Sequence, residues 1–364
     1  MTNYTIPSSI APTLLSWWDK GHASWPWRQT SDPYAIWISE IMLQQTQLAT
    51  VVPYYHNWLQ KFPTITTLAQ ANLNDVLKAW EGLGYYSRAR NIHRAAQQLV
   101  TDYDAQLPQT AAELQKLPGI GPYTAGAIAS IAFNQPAPLL DGNVIRLFTR
   151  LADIPDDVTK SPTKKALWHL AATLVPPTRP GAYNQALMEL GQTICQPAKP
   201  QCHLCPLANI CRGRARGTAL ERPVKPPRRR IPHYHVAAGI IVRDDGRFLI
   251  AQRPLTGLLG GLWEFPGGKQ EDGESLPQTL IREIEEELAL KITVPNPQPL
   301  ITIKHAYTHF RITLHAFWAR YHTGTPQHIG VQNHAWVTPA DLDQYPFAVT
   351  DQQIIAALPP HIPK

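Results

Sequence analysis

The chain has 364 residues, a length that favours two domains over one. Hydrophobic residues make up 44% and charged residues 16%, a composition that excludes an intrinsically disordered protein. No apolar run reaches the roughly 18 residues of a membrane-spanning helix, and the first residues, MTNYTIPSSIAP, show no secretory signal, so we expect a cytoplasmic protein with no membrane partner. The net charge of +6 is compatible with a polyanionic partner but does not identify one.

The chain divides into a helical half and a strand-rich half. Residues 8–194 are rich in Ala, Leu and Gln and are broken by Pro and Gly at helix-length intervals, which predicts an all-α domain over residues 1–211. Residues 212–231 are basic and Pro-rich, which predicts a linker that either serves solubility or follows DNA phosphates. Short β-rich runs then predict an α+β domain over residues 232–364, with one helix near residues 274–288.

A helical hairpin is predicted within the first domain. AAELQKLPGIGPYTAGAIASIAF, residues 111–133, indicates a helix, a tight turn and a second helix. Gly119 and Gly121 allow left-handed backbone angles and a close approach of another molecule, and Pro122 suits the first position of the second helix. Backbone N–H groups at such a turn can hold a phosphate, although an ordinary helical hairpin has the same sequence pattern.

An aspartate follows the hairpin at a distinctive distance. Asp141 stands twenty residues after Gly121, in PLLDGNVIRLFTRL, and this arrangement resembles the helix-hairpin-helix DNA glycosylases. The resemblance makes Asp141 the catalytic carboxylate. On its own, Asp141 would be interpreted as the N-cap of the helix that starts at Gly142, and the two roles are compatible.

All four cysteines lie close together between residues 195 and 211. This clustering argues for a metal site rather than a disulfide scaffold, and four thiolates suit either zinc or an iron–sulfur cluster. The spacing matches the [4Fe–4S] loop of the endonuclease III and MutY glycosylases, which implies a cluster that orders this loop. The ligands would be Cys195, Cys202, Cys205 and Cys211.

Further motifs distinguish between these relatives. Endonuclease III-like enzymes carry in the hairpin a Lys whose amine attacks the sugar. Tyr123 stands at that position, so we expect weak or absent strand cleavage, and the resemblance makes Tyr123 an aid to catalysis. WISEIMLQQTQ, which contains Glu40, WEGLGYYSRARNIHRAA (80–96) and YNQALMELGQTIC (183–195) resemble the MutY family, whose members remove adenine mispaired with 8-oxoguanine or guanine. The resemblance covers most of residues 8–215.

Glu40 has the surroundings of a proton donor. Trp37, Ile38, Ile41 and Met42 surround it in sequence, and desolvation raises the pKa of a carboxyl group. A neutral Glu40 could therefore protonate adenine near neutral pH, while an ionised Asp141 stabilises, or bonds briefly to, the oxocarbenium-like sugar before water attacks. Taken alone, Glu40 could instead lie on the exposed edge of an amphipathic helix.

The remaining contacts of the first domain follow from the resemblance alone. Asn143 is expected to assist the carboxylates. Gln45 and Tyr85 are expected to fill the duplex around the lesion pair while adenine leaves the stack. Arg28 and Gln185 are expected to contact the flipped adenine, although each of these residues could instead serve packing.

The second domain contains a different motif. FPGGKQEDGESLPQTLIREIEEELAL, residues 265–290, follows the pattern G-x5-E-x7-R-E-U-x-E-E-x-G-U, in which U is a bulky aliphatic residue, except at Ala289. This is the Nudix box and it implies a Nudix fold. Alanine at the expected glycine, a left-handed helix cap, costs about 1 kcal/mol. Glu283, Glu286 and Glu287 share one helix face and could hold Mg²⁺ against a diphosphate, or could simply be a solvated acidic face.

The Nudix-like domain is expected to recognise 8-oxoguanine on the strand opposite adenine. KHAYTHFRITLHAF, residues 304–317, resembles the MutY loop that reads this base. Tyr307, Thr308 and His309 stand where Phe-Ser-His is usual, so the hydroxyl and the ring nitrogen are retained.

Three functions remain open from the sequence. The first is a monofunctional adenine DNA glycosylase, expected to act as a monomer on double-stranded DNA. The second is a bifunctional protein whose nearly intact box also hydrolyses oxidised dGTP, although PFAVTDQQII (346–355) lacks the Asn that such hydrolases tend to carry. The third is a DNA-binding protein without catalysis, which intact Glu40 and Asp141 argue against.

Overall fold

The computed structural model describes residues 4–227 and 231–359. Residues 228–230 of the basic stretch lie outside the described residues, as do both chain ends. No described helix is long and apolar enough to cross a membrane. The domain boundaries expected at residues 211 and 232 stay a prediction. The chain forms two compact units, one of Met1–Gln70 and Asn91–Arg228 and the other of Ala71–Arg90 and Arg229–Lys364.

The N-terminal part of the chain is helical, as its composition predicts. Apart from the helices, the described residues there form turns and short 3₁₀ segments at Pro26–Arg28, Ala208–Ile210 and Ala219–Glu221. Helix α5 (Leu73–Ala79) and the beginning of α6 (Ser87–Asp102) belong to the second unit. The helices are α1 Ile10–Asp19, α2 Pro33–Met42, α3 Leu48–Lys61, α4 Ile65–Gln70, α5 Leu73–Ala79, α6 Ser87–Asp102, α7 Ala111–Leu114, α8 Pro122–Phe133, α9 Gly142–Leu151, α10 Ser161–Leu174, α11 Pro180–Thr193 and α12 Arg212–Ala215.

Small residues let α8 pack closely within the first unit. Helix α8 contacts α2 and α11 and is apolar around nearly its whole circumference, as expected for a buried helix. A Cβ at Gly126 would lie 1.9 Å from the carbonyl oxygen of Pro138. A Cβ at Gly181, on α11, would lie 2.5 Å from the carbonyl oxygen of Ser130. Gly181 therefore sets how closely α11 approaches α8, and Gly126 lets the segment that leads into α9 lie against α8.

The predicted hairpin is present between α7 and α8. Thr110 caps α7 by accepting a hydrogen bond from the backbone of Glu113, and Pro122 opens α8. Gly119 has φ +78°, and a Cβ there would meet Asn91 at 2.6 Å, so glycine is required. The left-handed conformation expected of Gly121 is wrong, because its φ is −84°. A Cβ there would meet no described residue within 4 Å, and the expected approach of another molecule at Gly121 stays a prediction.

The second unit is built around one mixed β-sheet. The strands are β1 His233–Val242, β2 Phe248–Gln252, β3 Trp263–Glu264, β4 Gly267–Lys269, β5 Lys291–Thr293, β6 Ile301–Ala306, β7 Arg311–Thr323 and β8 Asn333–Val337. Strands β1 and β7 run parallel at the centre of the sheet, and the other pairs are antiparallel. The order is β3-β2-β1-β7-β5, with β4 also on β1, β6 on β7 and β8 on β2.

A hydrophobic core covers each face of this sheet. Phe248 and Ile250 point into one core, while Leu249 points into the other, because alternate strand residues face opposite sides. Helix α13, Leu276–Leu288, packs on the side of Leu249. Helix α14, Val349–Ala357, buries Ile354 in the other core. A two-sided core explains why β1 reads as an almost continuous apolar run.

Of two sequence expectations for this unit, the number of helices needs correction and the left-handed helix cap is confirmed. The prediction of a single helix is wrong, because α14 follows near the C-terminus; its apolar residues do not line one face, so periodicity did not indicate it. The predicted left-handed cap is confirmed, since Ala289 has φ 54° and ψ 34° and its N–H donates to the carbonyl of Glu285. The box helix therefore ends where the motif requires, in spite of the missing glycine.

Candidate active site

Glu40 and Tyr123 form the buried part of the site. Glu40 lies in α2, where every residue from Tyr34 to Met42 is buried, and is 5% exposed. The Tyr123 hydroxyl, from the first turn of α8, donates a hydrogen bond of 2.8 Å to Glu40 Oε2. The pKa of Glu40 is raised to about 7, and burial is the largest cause. The Asp141 charge also raises this pKa, whereas the Tyr123 hydrogen bond and the Arg28 charge lower it. The expected direction of this pKa shift agrees with the structure.

Asp141 occupies a different environment at the N-terminus of α9. Its Oδ1 accepts a hydrogen bond of 2.7 Å from the backbone N–H of Val144, so the N-cap interpretation is confirmed. Its Oδ2 accepts a 2.7 Å bond from Asn143 Nδ2. The carboxylate therefore has two N–H donors, as an anion requires. Asn143 and Tyr123, both expected to assist the carboxylates, each contact one of them.

Arg146 holds Asn143 in place and was not singled out from the sequence. Its Nη2 donates to Asn143 Oδ1 at 2.8 Å and to the carbonyl of Gly191 at 2.7 Å, and its Nε donates to the carbonyl of Cys195 at 2.7 Å. A Cβ at Gly191 would lie 2.7 Å from the Cβ of Asn143, so α11 approaches α9 as closely as a glycine allows. Arg146 is 9% exposed and Arg150 is 2% exposed. Two arginines four residues apart on an otherwise largely apolar stretch, VIRLFTRL, are the signal that could have identified them.

Arg28 is fixed by a residue that sequence analysis missed. Its Nη1 lies 2.6 Å from Glu189 Oε2, and both side chains are 8% exposed. The same nitrogen donates to the carbonyl of Ala23 at 2.9 Å, and the guanidinium lies over the Trp18 ring, 5.1 Å from its centroid. Glu189 lies within the quoted segment YNQALMELGQTIC, and only the fold brings it to Arg28.

The other residues expected to contact DNA have different surroundings. Gln45 and Tyr85 both have positive φ, 59° and 48°, which is uncommon for such side chains and typical of tight turns. Gln185 Nε2 is 3.4 Å from the carbonyl of Gly181, a bond within its own helix. In the second unit, the Tyr85 hydroxyl is 2.8 Å from Thr308 Oγ1, so two residues predicted to surround the lesion pair are in contact.

Tyr307, Thr308 and His309 form the turn between β6 and β7. The N–H of Tyr307 donates to the carbonyl of Phe310 at 2.9 Å, which closes the turn. The Tyr307 ring packs on Phe310 and on His305 and is half-buried, whereas Thr308 and His309 are exposed at the tip. This arrangement leaves the hydroxyl and the imidazole at the surface.

The four cysteines line one cavity. Cys195 is buried and the other three are half-buried. Arg150 Nη1 lies 3.4 Å from Cys195 Sγ. The pKa of the Cys205 thiol is raised to about 11, mainly by burial and in part by the charges of the three neighbouring thiols. Within residues 4–227 and 231–359, no three side chains of the types that bind metals are close enough to share a single ion.

The glutamates of the Nudix box surround Arg282. Arg282 Nη1 is 2.9 Å from Glu286 Oε2 and 3.2 Å from Glu283 Oε1, and its Nη2 is 2.9 Å from Glu274 Oε1. Burial, followed by the charges of Glu264 and Glu283, raises the pKa of Glu287 to about 7. In the described parts of the chain the carboxylates do not form a preassembled trio of metal ligands.

Comparison with known proteins identifies the family. Residues 38–173 match the HhH-GPD superfamily of base excision DNA repair proteins, and residues 237–357 match the NUDIX domain. Adenine DNA glycosylase from Rattus norvegicus is 39% identical over 377 residues, which cover 89% of this chain and 73% of the relative. The chain belongs to the adenine DNA glycosylase family.

Other similarities agree with membership of the adenine DNA glycosylase family. The Homo sapiens adenine DNA glycosylase is 36% identical over 90% of this chain and 69% of the relative. A solved thermostable thymine-DNA glycosylase is 29% identical, with a TM-score of 0.51 over 57% of this chain and 96% of its own. The matched glycosylase region, residues 38–173, includes Glu40, Tyr123 and Asp141 and ends before the cysteine loop.

Proposed function

We propose that this chain removes adenine mispaired with 8-oxoguanine or guanine in double-stranded DNA, as a monomeric glycosylase of base excision repair. One observation carries the proposal: two electrostatically coupled carboxyl groups have opposite environments. Glu40 is buried and its pKa is raised to about 7, whereas Asp141 accepts two N–H bonds at a helix N-terminus. Such a division is what acid-assisted cleavage of a glycosidic bond requires.

The reaction uses these two groups in sequence. The Glu40 carboxyl donates its proton to a ring nitrogen of the flipped adenine as the bond between base and sugar breaks, and the bonding electrons leave with the base. The Asp141 carboxylate stabilises the cationic sugar. Water then adds to the anomeric carbon, and its proton returns to the Glu40 carboxylate. Tyr123 keeps the Glu40 carboxyl oriented, and Asn143 does the same for Asp141.

The absence of an amine at Tyr123 supports a monofunctional enzyme. A Schiff-base nucleophile needs a lysine or another amine near the anomeric carbon, and a phenol beside Glu40 cannot form one. The product is therefore an intact strand with a missing base. Strand scission should appear only after the product is treated with hot alkali.

Lesion recognition is assigned to the second unit. The exposed Thr308 hydroxyl, in contact with Tyr85, and the exposed His309 imidazole support a surface that accepts the edge of 8-oxoguanine, because these groups can donate and accept hydrogen bonds. The proposal is tested by measuring excision from duplexes that pair adenine with 8-oxoguanine, guanine or thymine. Equal rates on all three duplexes would contradict a lesion-reading domain.

Hydrolysis of oxidised dGTP by the Nudix box is the second candidate function. The nearly intact box and the left-handed cap at Ala289 favour it, because the box helix ends where the motif requires. The observed contacts of Arg282 with Glu283 and Glu286 must rearrange before these carboxylates can bind Mg²⁺. Mg²⁺-dependent turnover of 8-oxo-dGTP by the whole protein, lost in Glu286→Gln, would establish it; adenine excision without turnover would assign the domain to recognition alone.

The four cysteines fit a [4Fe–4S] cluster, because all four thiols line a single cavity and four thiolates are the ligand set of such a cluster. Cys195, Cys202, Cys205 and Cys211 would hold the cluster, which would order the loop and α12 with its exposed Arg212 and Arg214 near DNA.

A further inference from the structure

The pair formed by Arg28 and Glu189 is the strongest unexplained feature of the site. Two oppositely charged side chains, each 8% exposed, are joined at 2.6 Å. Buried ion pairs lose much hydration and are weak sources of stability. Their presence therefore calls for another explanation, and the nearby Glu40 provides one. A role of this pair in tuning Glu40 rests on the proposed function, because Glu40 is the acid that protonates adenine there.

Glu189 has a rigid position. Helix α11, on which it lies, packs tightly on α8 through Gly181 and on α9 through Gly191. The other oxygen of Glu189, Oε1, accepts a hydrogen bond of 3.2 Å from the backbone N–H of Ala23. Glu189 therefore ties α11 to the segment that precedes Arg28. Arg28 is held in turn by the carbonyl of Ala23 and by the Trp18 ring.

Glu40 is surrounded by groups of both signs. Tyr123 faces it from α8, Asp141 from the N-terminus of α9 and Arg28 from the 3₁₀ segment before α2. The Asp141 charge favours the protonated form of Glu40, and the Arg28 charge favours the ionised form. An arginine without a counterion would act more strongly on Glu40 than one that is neutralised by Glu189.

We propose that Glu189 is a positioning residue for adenine excision, which holds the Arg28 guanidinium in place and balances its charge so that Glu40 stays protonated. It does not touch the reacting atoms. Its effect passes through Arg28, so its removal should alter the pH dependence of the reaction and not merely its maximum rate.

The test is the single-turnover rate of adenine excision between pH 5.5 and 8.5 for Glu189→Gln. Loss of the carboxylate leaves Arg28 positive and lowers the pKa of Glu40, by about one unit for an opposite charge at close range. The rate should then fall about tenfold relative to wild type at pH 8 and change little at pH 5.5, because the fraction of protonated Glu40 falls tenfold only at high pH.

Two further variants separate charge balance from damage to the fold. Arg28→Met combined with Glu189→Gln removes both charges. The alkaline limb, which is the fall of the excision rate at high pH, should then return to the wild-type pH or lie at a higher pH, and this holds for any maximum rate. Asp19→Asn removes the carboxylate from an exposed pair with Arg179, which precedes the same helix, and should leave the limb in place. A uniform rate loss at every pH in Glu189→Gln, with an unmoved limb, would overturn the proposal.

A second readout does not depend on excision. In protein labelled with ¹³C at the glutamate carboxyl carbons, the Glu40 resonance can be identified by its loss in Glu40→Gln and titrated without DNA. The inference requires a lower Glu40 pKa in Glu189→Gln than in wild type, and an equal or higher value would refute it. If the wild-type protein fails to excise adenine while this shift is observed, the proposed function fails and the electrostatic inference stands.

Discussion

Replacing Tyr123 with phenylalanine tests how the proton donor is tuned. The substitution removes one atom, the hydroxyl oxygen that lies 2.8 Å from Glu40 Oε2, and leaves the ring in place. This hydrogen bond lowers the pKa of Glu40 against the larger effect of burial, because a hydroxyl donates more strongly to a carboxylate than to a neutral acid. A bond to a charged group contributes about 1.5–3 kcal/mol.

That free energy corresponds to about one to two pKa units. In Tyr123→Phe the pKa of Glu40 should therefore rise from about 7 to about 8 or above. Because the reaction uses the protonated form, the alkaline limb of the single-turnover excision rate should move to higher pH. This direction is opposite to that expected for Glu189→Gln.

The assay is quenched-flow excision of adenine from a duplex that contains an 8-oxoguanine:adenine pair, from pH 5.5 to 9. Tyr183→Phe is the matched control, since Tyr183 is a buried tyrosine of the same unit whose hydroxyl has no hydrogen-bond partner among the described residues. It should leave the alkaline limb of the rate profile unmoved. An alkaline limb that stays in place in Tyr123→Phe, or moves to lower pH, would refute the reasoning.

Three further substitutions test other parts of the account. Asp141→Asn keeps the N-cap, because asparagine and aspartate cap helices equally well. The free energy of unfolding should therefore change by less than about 1 kcal/mol in a thermal melt, while the excision rate falls about 10²–10⁴-fold. Retained activity would remove Asp141 from the mechanism. Arg146→Gln leaves buried oxygen acceptors of Asn143, Gly191 and Cys195 without their hydrogen-bond donor. The free energy of unfolding, measured in a urea titration, should fall by about 3 kcal/mol, and the protein should bind less iron. An unchanged midpoint and iron content would contradict this network. Ala289→Gly relieves a left-handed alanine and should stabilise the second unit by about 0.5–1 kcal/mol, so a lower midpoint in urea would contradict the assigned cap.

Features that depend on neighbouring residues could be predicted from the sequence. The hairpin of α7 and α8, the N-cap at Asp141 and the left-handed cap at Ala289 are all determined within a few residues. The burial of Glu40 could also be anticipated, because its sequence neighbours are apolar and α2 is buried on every side.

Features that depend on contacts distant in sequence could not be predicted. Glu189 meets Arg28 across about 160 residues, and no periodicity relates the two positions. The same holds for Arg146 and the carbonyl of Cys195. The segment Ala71–Arg90 groups with the C-terminal half only through tertiary contacts. Gly121 shows the reverse case, because a glycine in a motif suggested a left-handed conformation that the backbone does not adopt.

Release of free adenine from a duplex with an 8-oxoguanine:adenine pair, measured for wild type and Glu40→Gln, tests the central claim most directly. The account predicts release by wild type and loss of release in Glu40→Gln, with binding to the lesion duplex retained. Equal release by the two proteins would contradict the assignment of Glu40 as the proton donor. A folded, DNA-binding wild type that releases no adenine would contradict the proposed function itself.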